Sequence, residues 1–276
     1  MVIIKSFAVG DGDMYYIKHV SDNFSIIDCC LNDDENREII VDEIINESKY
    51  KGVTRFISTH PDDDHIRGLE YFDDELSILN FYCVKNEATK SDETNDFKRY
   101  CELRDSDKAF YLEKGCSRKW MNIGDDERGS AGINILWPKT ENEDFKNALE
   151  KAKNGESPNN ISPIIKYSLN DGITAIWMGD LEKEFLDKIK DELELPTVDI
   201  IFAPHHGRKT GKIPCELLDD LEPKVIIIGE AASEDLDYYD NYNTITQNSS
   251  GDIILECVTG KVHFYVSNEN YEVDFL

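Results

Sequence analysis

The sequence predicts a layered α/β sandwich folded as one compact domain over residues 1–276. Short apolar runs alternate with segments whose apolar residues recur at helical spacing, and strand-like runs occur in both halves of the chain. The length and the 40% hydrophobic content are ordinary for one large globular domain. We find no internal repeat and no low-complexity tract.

The first half begins with a meander of strands followed by a helix. The predicted strands are Val2–Val9, Met14–His19, Phe24–Asp28, Arg55–Ser58 and one within Leu76–Val84. The helix is predicted at Glu35–Ser48, where four isoleucines recur at helical spacing. Residues 86–130 are charged and irregular, with a helix expected at Asp92–Arg104, so this segment is predicted to be an insertion or lid rather than core.

The second half contains the clearest core strands. The predicted strands are Ile133–Trp137, Ile164–Leu169, Thr174–Met178, Asp199–Ala203 and Val225–Gly229, and the predicted helices are Asp144–Ala152 and Leu181–Glu192. The near-continuous apolar run at Val225–Gly229 is typical of a buried strand. Asp252–Val258 and Lys261–Val266, joined across Thr259-Gly260, predict a closing hairpin.

Charge and cysteine content narrow the function. The chain has 30 basic and 57 acidic residues and a formal net charge of −27, which repels polyanions at long range. A nucleic-acid substrate therefore requires a local basic patch or a partner that supplies one. The odd number of scattered cysteines, the lack of a long apolar run and the lack of a signal-like N-terminus predict a cytoplasmic protein with reduced thiols and no membrane contact.

The densest cluster of chemically active side chains follows the strand at Arg55–Ser58. His60-Pro-Asp62-Asp-Asp64-His65 places two imidazoles and three carboxylates within six residues. Imidazole favours zinc, manganese or iron and carboxylate favours harder cations, so the mixture predicts a hydrolytic metal centre. A solvated acidic turn would not account for two of the six histidines of the chain.

Two further strand ends carry metal-ligand residue types. Asp180 follows the apolar run ending at Gly179, and His205 and His206 follow the run ending at Ala203. Asp180 alone would also suit a helix N-cap. Together with the first cluster, these residues are enough for two adjacent metals sharing a carboxylate, an arrangement that activates water.

These motifs, in this order, resemble the metallo-β-lactamase superfamily. His60-x-Asp62-x-Asp64-His65 is similar to the signature His-x-His-x-Asp-His with Asp at the second His, as in the hydrolase-like domain of ComEC-type competence proteins. The other resembling elements are Phe7-Ala-Val-Gly-Asp-Gly-Asp13, Ile26-Ile-Asp28, Ile66-Arg-Gly-Leu69, Asn160-Ile-Ser162, Met178-Gly-Asp-Leu-Glu182, Pro204-His-His-Gly207 and Asn243-Thr-Ile-Thr through Gly251-Asp-Ile. The resemblance runs along nearly the whole chain and implies an αββα four-layer sandwich with the metals at one edge.

The resemblance also implies site roles and two divalent metal ions, zinc or manganese. His60 and Asp62 would hold one metal, Asp64 and His65 the other. Asp180 would bridge them, and His206 rather than His205 would complete the second site. The other histidine would contact a phosphoryl oxygen, and Asp64 would also orient the attacking water.

One departure from the family pattern affects the first metal. Many members supply another histidine between the signature and the bridging aspartate, whereas this chain has none between His65 and His205. The first metal would then bind weakly, require substrate, or use Asp13, whose alternative is a simple turn carboxylate. Asp62 in place of histidine makes the site harder and favours manganese over tight zinc.

The remaining candidates contact substrate, and Asp13, in its Gly-rich turn, is one of them as well as an alternative metal ligand. Arg208, Lys209 and Lys212 form the only basic cluster next to the predicted site and, with Arg67, are candidates for holding a phosphate; the alternative is a solvated loop. The leading hypothesis is a metal-dependent hydrolase of phosphodiesters, such as a nuclease. The alternatives are a hydrolase of a small ester, lactone or phosphoester, and a non-catalytic module that binds a protein partner in a bacterial assembly such as a defence system.

Overall fold

Two β-sheets, of eight and six strands, form the framework of the protein. The computed structural model describes residues 1–32, 34–273 and 275. The strands are β1 Val2–Ser6, β2 Tyr15–Lys18, β3 Asn23–Ile27, β4 Cys29–Cys30, β5 Val53–Ser58, β6 Phe81–Cys83, β7 Ala109–Tyr111, β8 Ile133–Trp137, β9 Ile164–Ser168, β10 Thr174–Trp177, β11 Ile200–Phe202, β12 Val225–Ile228, β13 Thr244–Thr246, β14 Ile253–Val258 and β15 Lys261–Val266. The chain is therefore a mixed α/β protein, as the sequence predicts.

Eight helices accompany the sheets in the described part of the chain. They are α1 Asp34–Ser48, α2 Asp63–Ile66, α3 Leu69–Leu76, α4 Asn95–Arg104, α5 Glu143–Lys153, α6 Lys183–Ile189, α7 Cys215–Leu221 and α8 Gln247–Ser250. Short 3₁₀ turns occur at Asn159–Ile161, Lys190–Glu192, His205–Gly207 and Lys209–Gly211. Among residues 1–32, 34–273 and 275, we find no helix with the length and apolar character needed to cross a membrane.

The larger sheet has the order β15-β14-β1-β2-β3-β5-β6-β7, and the smaller has the order β13-β12-β11-β10-β9-β8. In the larger sheet β3 and β5 are parallel neighbours. In the smaller sheet β10 and β11 are parallel neighbours. Parallel neighbours end at the same edge of a sheet, so the loops after each pair lie side by side.

Alternation along the strands divides the buried apolar residues between two clusters. On β2, Tyr15 and Ile17 belong to a cluster that contains residues of both sheets and of α5, α6 and α7. Tyr16 belongs to the other cluster, which joins the larger sheet to α1, α3 and α4. Successive side chains of a strand point to opposite faces, so the larger sheet is covered on both faces.

Part of the segment 86–130, for which an insertion or lid is predicted, packs with the larger sheet. Helix α4 buries Phe97, Tyr100 and Leu103 in the cluster on the larger sheet. Strand β7 forms the edge of that sheet next to β6. The high charge of the segment conceals the helical spacing of these three apolar residues, so the sequence alone does not indicate that they are buried.

Candidate metal centre

The loop after β5 carries two buried histidines. The strand ends at Ser58, and His60 and His65 are 1% and 0% exposed. Asp62 is the N-cap of the short helix α2 and accepts a hydrogen bond from the Asp63 backbone N–H. The helical turn brings the ring of His65 back toward His60, with 4.1 Å between the ring centroids.

Asp28, at the end of the parallel neighbour β3, fixes this loop. Its carboxylate accepts hydrogen bonds from the Thr59 backbone N–H at 2.7 Å and the Thr59 hydroxyl at 2.6 Å. Its Oδ2 also lies 2.9 Å from Nδ1 of His65. A carboxylate on Nδ1 fixes the tautomer of an imidazole and leaves Nε2 free for a metal.

The loop after β10 places Asp180 beside these histidines. Asp180 is 2% exposed, and its backbone N–H donates to the Ser162 hydroxyl at 3.2 Å. The preceding Gly179 has φ +50°, and a Cβ there would lie 2.6 Å from the Ser162 oxygen. Glycine is required because both the backbone conformation and the close approach exclude a side chain.

The loop after β11 delivers a second histidine pair. His205, His206 and Gly207 have φ values of 53°, 55° and 83°, a left-handed run that is costly for histidine. The two rings differ in burial: His206 is 1% exposed, whereas the side chain of His205 is 17% exposed. Strain of this kind is typical of functional sites, where the surrounding structure holds it.

The Gly-rich turn before β2 contributes Asp13. This residue is 5% exposed and accepts a hydrogen bond from the Tyr15 hydroxyl at 2.7 Å. Its Oδ1 lies 3.2 Å from Nδ1 of His206. Asp13 therefore lies within the site.

Four imidazoles direct the same nitrogen at the Asp180 carboxylate. The Nε2 atom of His65 lies 3.0 Å from Oδ1 of Asp180. Oδ2 of Asp180 lies 3.9 Å from Nε2 of His60, 3.7 Å from Nε2 of His205 and 3.6 Å from Nε2 of His206. Asp180 therefore lies at the centre of the four rings.

A side chain contacts Nδ1 of each of these rings. Thr59 and Ser162 hydroxyls lie 3.1 and 3.2 Å from Nδ1 of His60. The Thr210 hydroxyl lies 3.0 Å from Nδ1 of His205, and the carboxylates of Asp28 and Asp13 contact Nδ1 of His65 and His206. These contacts orient Nε2 of every ring toward the centre.

The possible metal-ligand atoms of the site lie close together, but several of them form no hydrogen bond with one another. One ligand atom from each of Asp13, His65, Asp180 and His206 lies within 4.8 Å of the others, and all four residues are buried. Within the described part of the chain, Nε2 of His60 and His65, Nδ1 of His206 and Oδ1 of Asp180 have no aligned hydrogen-bond partner, so the 3.2 Å contact of Asp13 with Nδ1 of His206 is an ionic contact. The 3.0 Å approach of His65 to Asp180 therefore lacks hydrogen-bond alignment, although buried polar atoms are normally paired.

We call the converging side chains the cage; its members are Asp13, His60, Asp64, His65, Asp180, His205 and His206. The interactions between their charges keep some of the imidazoles protonated and others neutral. Burial opposes charge on His206, but the Asp13 and Asp180 carboxylates outweigh it and raise the pKa of His206 to about 10. Burial also opposes charge on His65, whose pKa is nevertheless raised well above its usual value by Asp180 and Asp28. Burial and the adjacent His65 lower the pKa of His60 to about 4.

The carboxylates are stabilised in return. Burial favours the neutral form of Asp180, but His65 and His206 hold its pKa well below the usual range. Burial likewise opposes ionisation of Asp64, whose pKa is lowered by the hydrogen bond from His206 and the charge of His65. Since a metal requires neutral imidazoles, a cation entering this cage would displace protons from His65 and His206.

Asp64 and His205 form the more exposed side of the cage. Oδ2 of Asp64 lies 3.2 Å from Nε2 of His206, and its side chain is 27% exposed. His205 is the other partly exposed member, at 17%. The two residues predicted to be catalytic therefore lie where solvent reaches the cage.

The structure does not bring Asp62 into the cage. Its side chain is 39% exposed, and Oδ1 lies 2.9 Å from Nζ of Lys90. The four-residue group of converging ligand atoms contains Asp13 rather than Asp62.

The basic residues predicted to hold phosphate are already engaged. Nη2 of Arg208 lies 3.5 Å from Asp11, and Nζ of Lys209 donates to the Glu234 carbonyl at 2.7 Å. Lys212 pairs with Asp237 at 2.7 Å. Arg67 is exposed and donates to the side chain of Asn32. These contacts compete with a phosphate for the same side chains.

Sequence reasoning assigned no role to Asp28, Ser162 or Lys90. Asp28 ends an apolar strand, as Asp180 nearly does, so the strand-end pattern that led to Asp180 also contained it. Ser162 lies before β9, which is antiparallel to β10, and this places it at the same edge as Asp180. No local pattern distinguishes Lys90 from the other lysines of its charged segment.

Comparison with models of known protein families gives no match, and no curated protein matches the chain.

Proposed function

We propose that the protein is a metal-dependent hydrolase of the metallo-β-lactamase superfamily, related to the hydrolase-like domain of ComEC-type proteins, and that it acts on phosphodiester bonds. The observation that carries the proposal is the convergence of four Nε2 atoms on Asp180, each ring being contacted at Nδ1 by another side chain. A structural histidine cluster would not need unpaired, buried nitrogens directed at one carboxylate.

The finer architecture that we propose is the αββα four-layer sandwich. Two observations support it: one apolar cluster contains residues of both sheets, and the other joins the larger sheet to α1, α3 and α4. Helices α5, α6 and α7 contribute to the cluster that contains the smaller sheet. In this architecture the loops after β3, β5, β10 and β11 would meet at one edge between the sheets.

Two divalent cations, zinc or manganese, would occupy the cage. His60 would hold the first and Asp64, His65 and His206 the second, with Asp180 shared. Asp13 either orients His206 through Nδ1 or serves as a ligand. Mixed nitrogen and oxygen donors suit these metals, and a two-metal site lowers the pKa of water and stabilises charge on attacking and leaving oxygens.

The residues of the chain would divide the remaining work. Asp28 and Asp13 keep His65 and His206 in fixed orientations by contacting Nδ1. Asp64, on the exposed side, can accept a proton from the attacking water, and the partly exposed His205 can contact a phosphoryl oxygen. The deeper residues exclude bulk solvent, which strengthens electrostatic interactions within the cage.

A second candidate is a hydrolase of a small ester, lactone or phosphoester. It is favoured by the engagement of Arg208, Lys209 and Lys212 with acidic or carbonyl partners in a chain of net charge −27. A long polyanion would meet repulsion, whereas a compact substrate would not. Salt separates the two: turnover of a polyanion should change strongly with ionic strength and that of a weakly charged ester should not.

The test combines metal content with turnover. We expect about two ions per chain after loading with manganese or zinc, and hydrolysis of bis(p-nitrophenyl) phosphate. Asp180→Asn should reduce both strongly, because one carboxylate faces all four rings. Asp220→Asn, an exposed change on α7, is the matched control and should alter neither.

Full metal loading with no turnover of any phosphodiester would refute the preferred substrate class. Metal content near zero in wild type would refute the metal centre itself.

A further inference from the structure

Asp62 is restrained outside the cage by a lysine distant in sequence. Nζ of Lys90 lies 2.9 Å from Oδ1 of Asp62 and 2.6 Å from Oδ1 of Asp63. The backbone N–H of Asp63 donates to the same Oδ1 of Asp62 at 3.0 Å. Asp62, in the signature loop of residues 60–65, is therefore held through one oxygen by two hydrogen-bond donors.

Lys90 is itself fixed in position. Its side chain is 18% exposed, and its ammonium lies 5.7 Å from the ring centroid of Phe97. The preceding Thr89 bonds to the end of α5 through its backbone N–H, to the Ala152 carbonyl at 3.1 Å, and through its hydroxyl, to the Lys153 carbonyl at 2.8 Å. An anchored, largely buried ammonium loses less side-chain entropy in an ion pair than a mobile surface lysine does.

Lys90 is also charged at neutral pH. Burial would lower its pKa, but the hydrogen bonds to Asp63 and Asp62 outweigh burial and raise it. The ion pair is therefore present under the conditions in which a metal would bind.

We propose that Lys90 is a latch that competes with the first metal for Asp62. The proposal rests on the proposed metal centre. Lys90 and the Asp63 backbone N–H hold Oδ1 of Asp62, and Asp62 is not in the group of converging ligand atoms. Asp62 can therefore ligate the metal beside His60 only when its side chain turns away from Lys90. Lys90 is thus a positioning residue that weakens the first metal site and keeps it open until Asp62 moves.

The surroundings of Lys90 permit this exchange. It lines a cavity of about 290 Å³ together with Asp63, Asp92 and Glu156. An ammonium released from Asp62 retains Asp63 and gains room to approach other carboxylates. Opening the latch therefore does not leave an unpaired buried charge, which would be costly.

The experiment is a Mn²⁺ titration of the metal-free full-length chain by calorimetry, with Lys90→Met compared with wild type. We expect the weaker of two sites to tighten about twofold to fivefold, the range for loss of one competing ion pair, while the tighter site is unchanged. Lys153→Met is the matched control, because it removes a charge and an ion pair with Glu87 in the same region without contacting the signature loop. Equal tightening in Lys153→Met would overturn the latch in favour of a general charge effect.

A double-mutant cycle supplies the decisive comparison. Asp62→Asn should weaken the first site, and in the Asp62→Asn background Lys90→Met should have no further effect. An undiminished effect of Lys90→Met in that background, or a weak site identical in wild type and Lys90→Met, would overturn the latch while leaving the metal centre standing. A wild-type chain that binds no Mn²⁺ would overturn the metal centre and the latch with it.

Discussion

Replacing Asp28 by Asn tests whether orientation of the imidazoles controls metal affinity. Asp28 is 1% exposed, and its carboxylate accepts from the Thr59 backbone and hydroxyl while Oδ2 contacts Nδ1 of His65. An asparagine oxygen can still accept from the Thr59 backbone. Its NH₂ group would then face the Thr59 hydroxyl and the Nδ1–H of His65, which are donors when the carboxylate is present.

The expected loss follows from this mismatch. Removing an outer partner of a metal-ligating histidine reduces metal affinity about tenfold to hundredfold, equivalent to about 1.4–2.7 kcal/mol. His65 lies closest to Asp180 of the four rings, at 3.0 Å, so the loss should fall on the tighter metal. The assay is competition for zinc or manganese against a fluorescent chelator at fixed pH.

Asp22→Asn provides a matched control. Asp22 precedes β3, accepts from the Gly52 backbone N–H at 2.7 Å and pairs with Arg128 at 2.7 Å. Its replacement should lower the free energy of unfolding without changing metal affinity. Wild-type metal affinity in Asp28→Asn, with a correctly folded chain, would refute the orientation argument.

Three further predictions test the site and its scaffold. In metal-free protein, the pKa of His206 is raised from 6.5 to about 10, so its protonation contributes stability that is complete below about pH 6.5 and is lost as the pH rises toward 10. The midpoint of urea unfolding should therefore fall over this pH window in wild type, and should fall less in His206→Gln. Gly179→Ala should destabilise the fold by about 1–3 kcal/mol and weaken metal binding, because the new Cβ would displace Ser162. Gly260→Ala is the control: it has φ +70° but open space around it, so thermal unfolding should show only the smaller backbone cost. Arg55→Met should lower the free energy of unfolding by about 3 kcal/mol in chemical denaturation, because the buried guanidinium donates three hydrogen bonds. Metal stoichiometry should not change, since Arg55 lies toward the other end of β5 from the site. Loss of metal with retained stability would contradict this prediction.

Much of the site was accessible from sequence because the fold places strand ends together. His60, Asp180 and His206 each follow an apolar run, and these runs are strands β5, β10 and β11. Parallel pairing of β3 with β5 and of β10 with β11 then brings their loops to common edges. A pattern of reactive residues after apolar runs is therefore informative without any knowledge of the pairing.

What the pattern could not give is the direction of individual side chains. The sequence predicted Asp62 as a ligand and Asp13 only as its alternative or as a substrate residue, yet the structure places Asp13 among the converging atoms and Asp62 against Lys90. The deciding contacts join residues far apart in the chain: Asp13 with His206, and Asp62 with Lys90. Spacing within a motif carries no information about such partners.

The contacts at Nδ1 give the cage a directional character that residue types alone do not reveal. If the histidines were present only for packing, either ring nitrogen could face inward, and the outer contacts would be mixed. Instead, carboxylates contact Nδ1 of His65 and His206, and hydroxyls contact Nδ1 of His60 and His205. Against the effect of burial, Asp180 and Asp28 raise the pKa of His65, and Asp13 and Asp180 raise the pKa of His206. Burial and the adjacent His65 lower the pKa of His60, which has no carboxylate at Nδ1 among the described residues. The rings therefore differ in proton affinity. His65 and His206 hold protons most tightly in metal-free protein, and their outer carboxylates would also strengthen a bond to a metal. Metal binding at these two rings should therefore release the most protons. Calorimetric titration in buffers of different ionisation enthalpy should detect this release at neutral pH, and Asp28→Asn should diminish it.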